Sequence, residues 1–277
     1  MSVYIASEFY GDEYDLEHPR IGYNRASGTV DASTEAAGFA GVNAATVRVD
    51  TAWRPTSLPG VLADWELNFD APTLVSYFGI AAHDLGTQNA FIRIQTTTDG
   101  GSTWTSIAGL NAIEPEDDSA ILCLFSPTEV DGIRVRIESA DDNPTIAVMA
   151  TGEVMEWPRK AVWTGTPITD GDRLSFRNNL SGTGIVIGRT KESDGLEFSM
   201  QVDNLSEEWR TSTFKAFKAY ANGEQAAFFI APRALYYPDE VAYAWTTDTV
   251  RMSRETPNRR VSGSVTLNCI GYRQNLD

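Results

Sequence analysis

The chain has 277 residues, 42% of them hydrophobic, which is enough for two domains with proper cores. Its net charge of −16 is uneven, because residues 1–156 hold 24 acidic residues against seven arginines and no lysine, whereas residues 157–277 are nearly neutral. This shift in charge predicts a domain boundary near Trp157. The acidic first half repels phosphate backbones, which argues against nucleic acid as a partner. The sequence has no secretory pattern and no apolar run as long as a membrane span, so we expect a chain made and folded in the cytosol.

Residues 1–19 mix aromatic and acidic side chains, which predicts a solvated acidic arm. Asp12, Glu13, Asp15 and Glu17 lack the spaced ligands and the closing bidentate glutamate of a calcium loop. We therefore predict no metal site and no cofactor, with a structural calcium ion left open.

Residues 20–156 carry short runs rich in Val, Ile, Phe and Thr, such as ATVRV, WELNF, AFIRIQT and GIRVRIES, separated by Pro, Gly and Asp/Asn clusters. This spacing is typical of an antiparallel β-sandwich. Within it, residues 91–104 (FIRIQTTTDGGSTW) predict a hairpin that reverses at its Asp-Gly-Gly segment, because glycine reaches positive φ without steric cost. Since large rings in a sandwich usually pack inside, we expect Trp65 and Trp104 in the core.

Residues 157–277 predict an α+β domain of antiparallel sheet or barrel with one helix. Strand-like segments include RLSFR, GIVIGRT, LEFSMQV and VSGSVTLNCIGY. The helix is expected over residues 206–221, where Ser206 can cap the first turn, two glutamates follow it, and Trp209, Thr213, Phe217 and Tyr220 recur on one face. The fold class is therefore mainly β: a sandwich followed by an α+β domain.

Residues suited to catalysis are few and scattered. His18 lies in the acidic arm and His83 follows a strand, and no Gly-x-Ser-x-Gly elbow accompanies either of them. The acidic stretches at residues 116–118 and 141–142 are expected to be solvated loop charge, because neighbours on one loop do not form an acid–base pair across a cleft. We predict that the protein is not an enzyme.

The cysteines also indicate structure. Cys123 (ILCLF) and Cys269 (LNCIG) stand in apolar surroundings typical of buried thiols. Two cysteines and two histidines without ligand spacing do not indicate zinc.

Two short stretches are candidates for ligand binding. Trp53 and Arg54 precede a proline in a polar loop, and an exposed ring beside planar polar groups is typical of sugar recognition. A buried Trp53 is the alternative. His83 and Asp84 lie in another polar segment and are candidates for the same ligand, with a histidine bonded to neighbouring backbone as the alternative.

The segments around these residues resemble a known family. TAW at 51–53, DWELNF at 64–69, TDGGSTW at 98–104 and GIRVRIE at 132–138 resemble the discoidin or galactose-binding-like β-sandwich, over about residues 20–156. This resemblance implies a jelly-roll sandwich of the carbohydrate-binding type.

A second resemblance extends over most of the chain. IAAHDLG at 80–86 is similar to an AAHNLG-type segment of tail proteins of long-tailed bacteriophages, with Asp in place of Asn. In the second half, residues 204–209, 214–217 and 228–229 and the sharper motif YPDEVAYAW at 237–245 are similar to the same proteins.

That resemblance implies a structural component of a siphophage tail tip or baseplate, located in the virion tail. Residues 1–19 would be an arm, 20–156 a sandwich that projects outward and 157–277 an assembly domain, in a homo-oligomeric ring with other tail proteins. Tyr237, Asp239, Arg259 and Arg260 are the candidate interface residues. The alternative is a carbohydrate-binding module whose main role is adsorption to host surface glycans.

Overall fold

A computed structural model describes residues 3–9, 15–162, 167–224, 226–255 and 262–273. Sixteen strands, β1–β16, occur in the described part of the chain. In chain order they are β1 Val3–Ile5, β2 Arg20–Gly22, β3 Thr29–Ala32, β4 Ala63–His83, β5 Phe91–Thr97, β6 Thr105–Ser106, β7 Ile121–Ser139, β8 Ile146–Gly152, β9 Met155–Glu156, β10 Ser175–Leu180, β11 Val186–Ser193, β12 Leu196–Ser206, β13 Phe228–Ala231, β14 Ala242–Thr246, β15 Met252–Glu255 and β16 Ser262–Gly271.

The helices are short apart from one continuous helical segment. It consists of α1 (Glu207–Trp209), a π-helical turn (Arg210–Phe214) and α2 (Lys215–Ala221). Single 3₁₀ turns lie at Ser7–Phe9, Asp15–Glu17, Gly41–Ala45 and Ile168–Asp170.

The first sheet folds over into the two layers of a sandwich through two long strands, β4 and β7. Its order is β3-β4-β7-β5-β6, with β8 on the far part of β4 and β1 parallel to β7. Residues 63–68 of β4 pair with the end of β7, and residues 77–80 pair with its beginning. Each long strand therefore contributes to both layers, and the irregular pairing between Asn68 and Tyr77 marks where it crosses from one layer to the other.

The core between the two layers is apolar, as the alternation in the strands predicts. Trp65 and Phe78 pack edge to face at 6.3 Å inside it, and the indole nitrogen of Trp65 donates to Gly41 O at 2.9 Å. The prediction of an antiparallel sandwich with Trp65 in its core is confirmed.

The second sheet follows the order β12-β16-β14-β13-β2-β9 and is antiparallel throughout. Its strands β2 and β9 come from residues 20–22 and 155–156, so the ends of the segment predicted as the sandwich extend this sheet instead. The mainly β fold, with a sandwich and an α+β part carrying one helix, is as predicted.

The predicted helix over residues 206–221 is confirmed at both ends. Ser206 Oγ accepts a hydrogen bond from Trp209 N at 3.1 Å, and Gly223 N bonds back to Tyr220 O at 2.8 Å. The buried face differs, because Phe214 packs in the core while Thr213 stays half-exposed. A π-helical turn holds one residue more than an α turn, which rotates the face that packs on the sheet.

The expectation of a solvated N-terminal arm is wrong for the described residues of that segment. β1 joins the sandwich beside β7, and Val3, Ala6 and Leu16 are buried. Asp12 and Glu13 lie outside the described residues. The sequence accounts for this, because β1 reads Val-Tyr-Ile and the first acidic residue is Glu8, so the strand itself carries no charge.

The hairpin at Asp99 forms as predicted, but Trp104 does not enter the core. Asp99 Oδ1 accepts from Thr103 N at 2.9 Å, and Gly100 and Gly101 have φ values of 66° and 88°. The hydrogen bonds that the Asp99 carboxylate accepts, led by that from the Thr103 hydroxyl, lower the pKa of Asp99 to about 2. Trp104 instead lies half-buried on the outer face of the sheet, where the Arg134 guanidinium stacks 4.5 Å from its ring centroid.

Candidate functional site

The four residues predicted to bind a ligand lie at one end of the sandwich. Trp53 and Ile146 exchange backbone hydrogen bonds of 2.8 and 2.9 Å, and His83 pairs with the same Ile146 across β4 and β8. Three loops meet there, residues 53–60, 84–90 and 140–145, and we call them the loop end. Strand register thus brings together two stretches that are 30 residues apart in the sequence.

Trp53 is fully buried, which corrects the expectation of an exposed ring. Its exposed fraction is 0%, and the indole nitrogen donates to Thr34 O at 3.0 Å. A sugar could not stack on this ring. The backbone pairing with Ile146 turns the side chain inward, so Trp53 plugs the end of the core.

Arg54 keeps its head group at the surface. Its Nε donates to Asn143 O at 3.1 Å, and Nη2 lies 3.7 Å from Asp142 Oδ2. The side chains of Arg54 and Asp142 are 40% and 62% exposed. A guanidinium has five N–H donors, so Arg54 retains donors for a ligand while one contact fixes its orientation.

Asp84 holds two loops together. Thr145 N donates to Asp84 Oδ1 at 2.6 Å, and Asp84 N donates back to Thr145 O at 3.2 Å. Partial burial raises the pKa of Asp84, while the Thr145 bond and the Arg54 charge act in the opposite direction. This carboxylate positions the loop that carries Asp142 and Asn143.

His83 is buried and does not present its ring to solvent. Nε2 lies 2.8 Å from Ser119 O, and Nδ1 accepts from Leu85 N at 3.2 Å. These partners require a neutral ring that donates through Nε2. Burial lowers the pKa of His83 to about 4. The alternative of a histidine bonded to neighbouring backbone therefore describes His83, and direct contact with a ligand does not.

Two further polar residues complete the loop end. Asn89, with a positive φ of 47°, donates from Nδ2 to Asp141 Oδ2 at 2.7 Å, and both residues are exposed. Neither was a predicted contact. The sequence signal was the DDNP stretch at 141–144, which interrupts strands with side chains that favour turns. The loop end thus offers a cation, two carboxylates and an amide at the surface.

In the acidic stretch at residues 116–118, Glu116 and Asp117 are exposed as expected, whereas Asp118 differs. Asp118 is buried, and its carboxylate accepts from Thr87 N at 3.0 Å and from Thr87 Oγ1 at 2.6 Å. This carboxylate anchors the loop beside β4 rather than standing in water.

The outer face of the sandwich carries a second polar group of side chains around Trp104. The Arg134 guanidinium donates to Gln95 Oε1 at 2.7 and 3.0 Å and to Glu66 Oε1 at 3.2 Å. Arg134 and Gln95 are themselves buried, so their donors are used within the protein. This layer covers the sheet and leaves few groups for a ligand.

Metal and thiol chemistry find little support in the described residues. Within them, no group of three or more His, Cys, Asp or Glu is arranged to hold a metal ion. Cys123 and Cys269 are free and buried, and burial raises the pKa of Cys269 to about 12. The described chain also contains no helix with the length and hydropathy needed to cross a bilayer.

The predicted interface residues are only partly described. Tyr237 is 44% exposed in a loop that bonds to β1 through Pro238 O and Val3 N at 2.8 Å. Asp239 lines a cavity of about 250 Å³ between this loop and residues 117–120. Arg259 and Arg260 lie outside the described residues. An interface at these positions stays a prediction.

Comparisons with known proteins give similarity at the level of single domains. No protein-family profile matches the chain, and no curated protein matches its sequence. Among solved structures, a pectin-binding carbohydrate-binding module is 19% identical, covering 46% of this chain and 91% of its own, with a TM-score of 0.40.

Two further solved structures match over a similar share of the chain. Chitosan-binding module 1 of a chitosanase/glucanase from Paenibacillus sp. IK-5 is 16% identical over 47% of this chain and 97% of its own, with a TM-score of 0.41. A family 32 carbohydrate-binding module from C. perfringens, in complex with galactose, is 16% identical over 46% and 93%, with a TM-score of 0.39. At these scores the similarity carries no argument about what this chain binds.

Proposed function

We propose that this protein is a non-enzymatic glycan-binding protein, and that the loop end of the sandwich contacts the saccharide. The observation that supports this is the arrangement of Arg54, Asp142, Asn89 and Asp141. They are planar polar side chains on three loops, accessible to solvent, and linked to one another in pairs. Polyhydroxylated ligands are recognised by such fixed donors and acceptors, with bidentate hydrogen bonds to neighbouring hydroxyls.

The loops that carry these groups are held by buried and half-buried residues. Asp84 bonds to Thr145, Leu58 N donates to Asn143 Oδ1 at 2.9 Å, and Trp53 pairs with Ile146. A site fixed in this way loses little conformational entropy on binding. Contact with a host surface glycan would be the role of such a site.

A glycan array followed by calorimetry tests this proposal. Arg54→Ala should weaken binding of the array hit about tenfold or more, because it removes a charge-assisted donor worth about 1.5–3 kcal/mol. Arg48→Ala is the matched control, since Arg48 is an exposed arginine of the same sandwich that pairs with Asp50. A blank array, or equal losses in both variants, would overturn the proposal.

A second function, assembly, is supported by the ribbon of β10 and β11. Among the described strands these two pair only with each other, and they present apolar side chains to solvent. Leu180, Ile185 and Ile187 are 59%, 68% and 72% exposed. Since an isolated ribbon with an exposed apolar surface is marginal in water, such a surface is typical of a contact site.

We propose that the occupant of this ribbon is a second copy of the chain. Residues 175–193 carry three basic residues and one acid, whereas residues 1–156 have a net charge of −17, so the ribbon of one copy complements the sandwich of another. In the setting that the resemblance implies, this contact would build a ring in a bacteriophage tail tip, with other tail proteins as neighbours and the sandwich projecting outward.

Light scattering on size-exclusion fractions tests the assembly. We expect the wild-type protein to be oligomeric and Ile187→Glu to shift it to monomer. Val162→Glu is the control, because Val162 is 38% exposed beside β12, outside both the ribbon and the sandwich, and should leave the oligomer intact. A monomeric wild type at high concentration would contradict the contact. The protein's absence from purified virions would contradict the tail-tip setting.

A further inference from the structure

An open cleft of about 610 Å³ lies where the sandwich passes into the second sheet, on the side of the helical segment. Six lining residues matter for its chemistry: Tyr23, Glu153, Glu156, Trp209, Ser212 and Thr213. None of them belongs to the loop end or to the β10–β11 ribbon.

One wall of the cleft is aromatic and rigid. Trp209 is half-buried and stacks on Phe214 with ring centroids 5.5 Å apart and an interplanar angle of 25°. Behind it lies the fully buried Trp157, at 5.0 Å. Tyr23 is likewise held edge-on by Phe217 at 5.3 Å. Both cleft-lining rings are therefore fixed by buried rings while part of their surface stays accessible.

The cleft also carries negative charge. Glu156 accepts a hydrogen bond from Arg20 at 2.7 Å, so its charge is compensated within the protein. Glu153 is exposed and makes no hydrogen bond or ion pair with the described residues. Tyr23 and Glu153 line the same cleft, and burial, followed by the Glu153 charge, raises the pKa of Tyr23. Glu153 is the uncompensated charge of the cleft.

Hydroxyl groups complete the lining. Ser212 and Thr213 lie in the π-helical turn at Arg210–Phe214, on the exposed side of the helical segment. π-helical turns occur often at functional sites, because the extra residue alters which side chains face a groove.

We propose that this cleft binds an organic cation, an alkylammonium group held against Trp209 and Tyr23 and paired with Glu153. An ammonium over the face of an aromatic ring is attracted by the ring quadrupole, and a nearby carboxylate strengthens this attraction. The same carboxylates, in a chain of net charge −16, oppose an anionic ligand. Ser212 and Thr213 can hydrogen-bond to hydroxyl or carbonyl groups elsewhere on the ligand.

Calorimetry with choline and with its uncharged analogue 3,3-dimethylbutan-1-ol tests the charge requirement directly, because the two differ mainly at the ammonium. We expect choline to bind and the alcohol to bind at least about fivefold more weakly, a cation–π difference of about 1 kcal/mol. Nα-acetyl-lysine methylamide serves as a second arm. Binding of choline alone indicates a quaternary head group, and binding of both indicates a general ammonium site.

Glu153→Gln should weaken choline about fivefold, the range expected for one partly exposed ion pair. Glu129→Gln, at an exposed carboxylate of β7, is the matched control and should have no effect. Trp209→Leu should reduce choline affinity further. Equal affinity for choline and the alcohol, no loss in Glu153→Gln, or no heat from choline would overturn the proposal. Arg54→Ala should leave choline binding unchanged, so this result is independent of the saccharide site.

Discussion

Gly79 of β4 lies directly under the ring of Phe229 of β13. A Cβ atom on Gly79 would stand 2.5 Å from Phe229 Cε2, a distance at which side chains do not pack. The neighbours Phe78 and Ile80 point to the sandwich core, so this part of β4 is covered on both faces. The layer of the sandwich that contains β4 therefore also packs against the second sheet. The absence of a side chain at Gly79 permits this close approach.

Gly79→Ala should destabilise the protein by about 1–3 kcal/mol, because the methyl group overpacks this interface. Urea denaturation measures the change. Gly182→Ala is the control, since a Cβ there meets no atom within 4 Å. The double variant Gly79→Ala/Phe229→Leu should lose less stability than the sum of the losses of the two single variants, because a smaller side chain at position 229 leaves room for the added methyl group. Strict additivity would contradict the contact.

The sequence predicts that alanine costs more stability at Trp104 than at Trp53, and the structure reverses this order. Trp53→Ala removes a fully buried ring and should cost about 3–5 kcal/mol. Trp104→Ala removes a half-exposed ring that stacks with the Arg134 guanidinium, so a loss of about 0.5–2 kcal/mol is expected. Both are measured by urea denaturation, and equal losses would show that the outer face is packed like a core.

His83 should make the protein less stable as the pH falls from about 6.5 to about 4. Its pKa is lower in the folded state than in the unfolded state, so the unfolded chain binds the additional proton across this window. The difference amounts to roughly 3 kcal/mol if the full shift is realised. His83→Gln keeps an amide donor for Ser119 O and should flatten the pH dependence of urea midpoints. A variant with the same slope as the wild type would contradict this assignment.

Local sequence patterns carried most of the secondary structure. The alternation in FIRIQ and GIRVRIE predicts β5 and β7, and Ser206 with Asn222-Gly223 predicts both ends of the helical segment. These signals lie within a few residues of the structure that they specify. The same holds for the turn at Asp99, whose carboxylate bonds only a few positions along the chain.

The orientation of the tryptophans could not be predicted in this way. Trp53 turns inward because its backbone pairs with Ile146, and Trp104 turns outward beside Arg134 on another strand. Both partners are distant in sequence. The pairing of β2 with β13 is a further case, since residues 20–22 meet residues 229–231 at a sheet position that no local pattern specifies. The loop end was partly predicted, because Arg54 and Asp84 were chosen but Asn89 and Asp142 were not.

Glu240 should act on stability in the direction opposite to His83. It is 4% exposed in the loop before β14, and its backbone N donates to Tyr237 O at 3.0 Å. Burial raises the pKa of Glu240 to about 7, against the attraction of Arg233. The folded state then binds more protons than the unfolded state between pH 4.5 and about 7, so this carboxyl destabilises the protein as the pH rises through that window. Glu240→Gln keeps the shape without the charge and should raise the melting temperature at pH 8 but not at pH 4.5.

Glu224→Gln, at an exposed carboxyl after the helical segment, should leave both temperatures unchanged. A Glu240→Gln variant that melts lower than the wild type at pH 8 would show instead that the ionised carboxylate stabilises this loop.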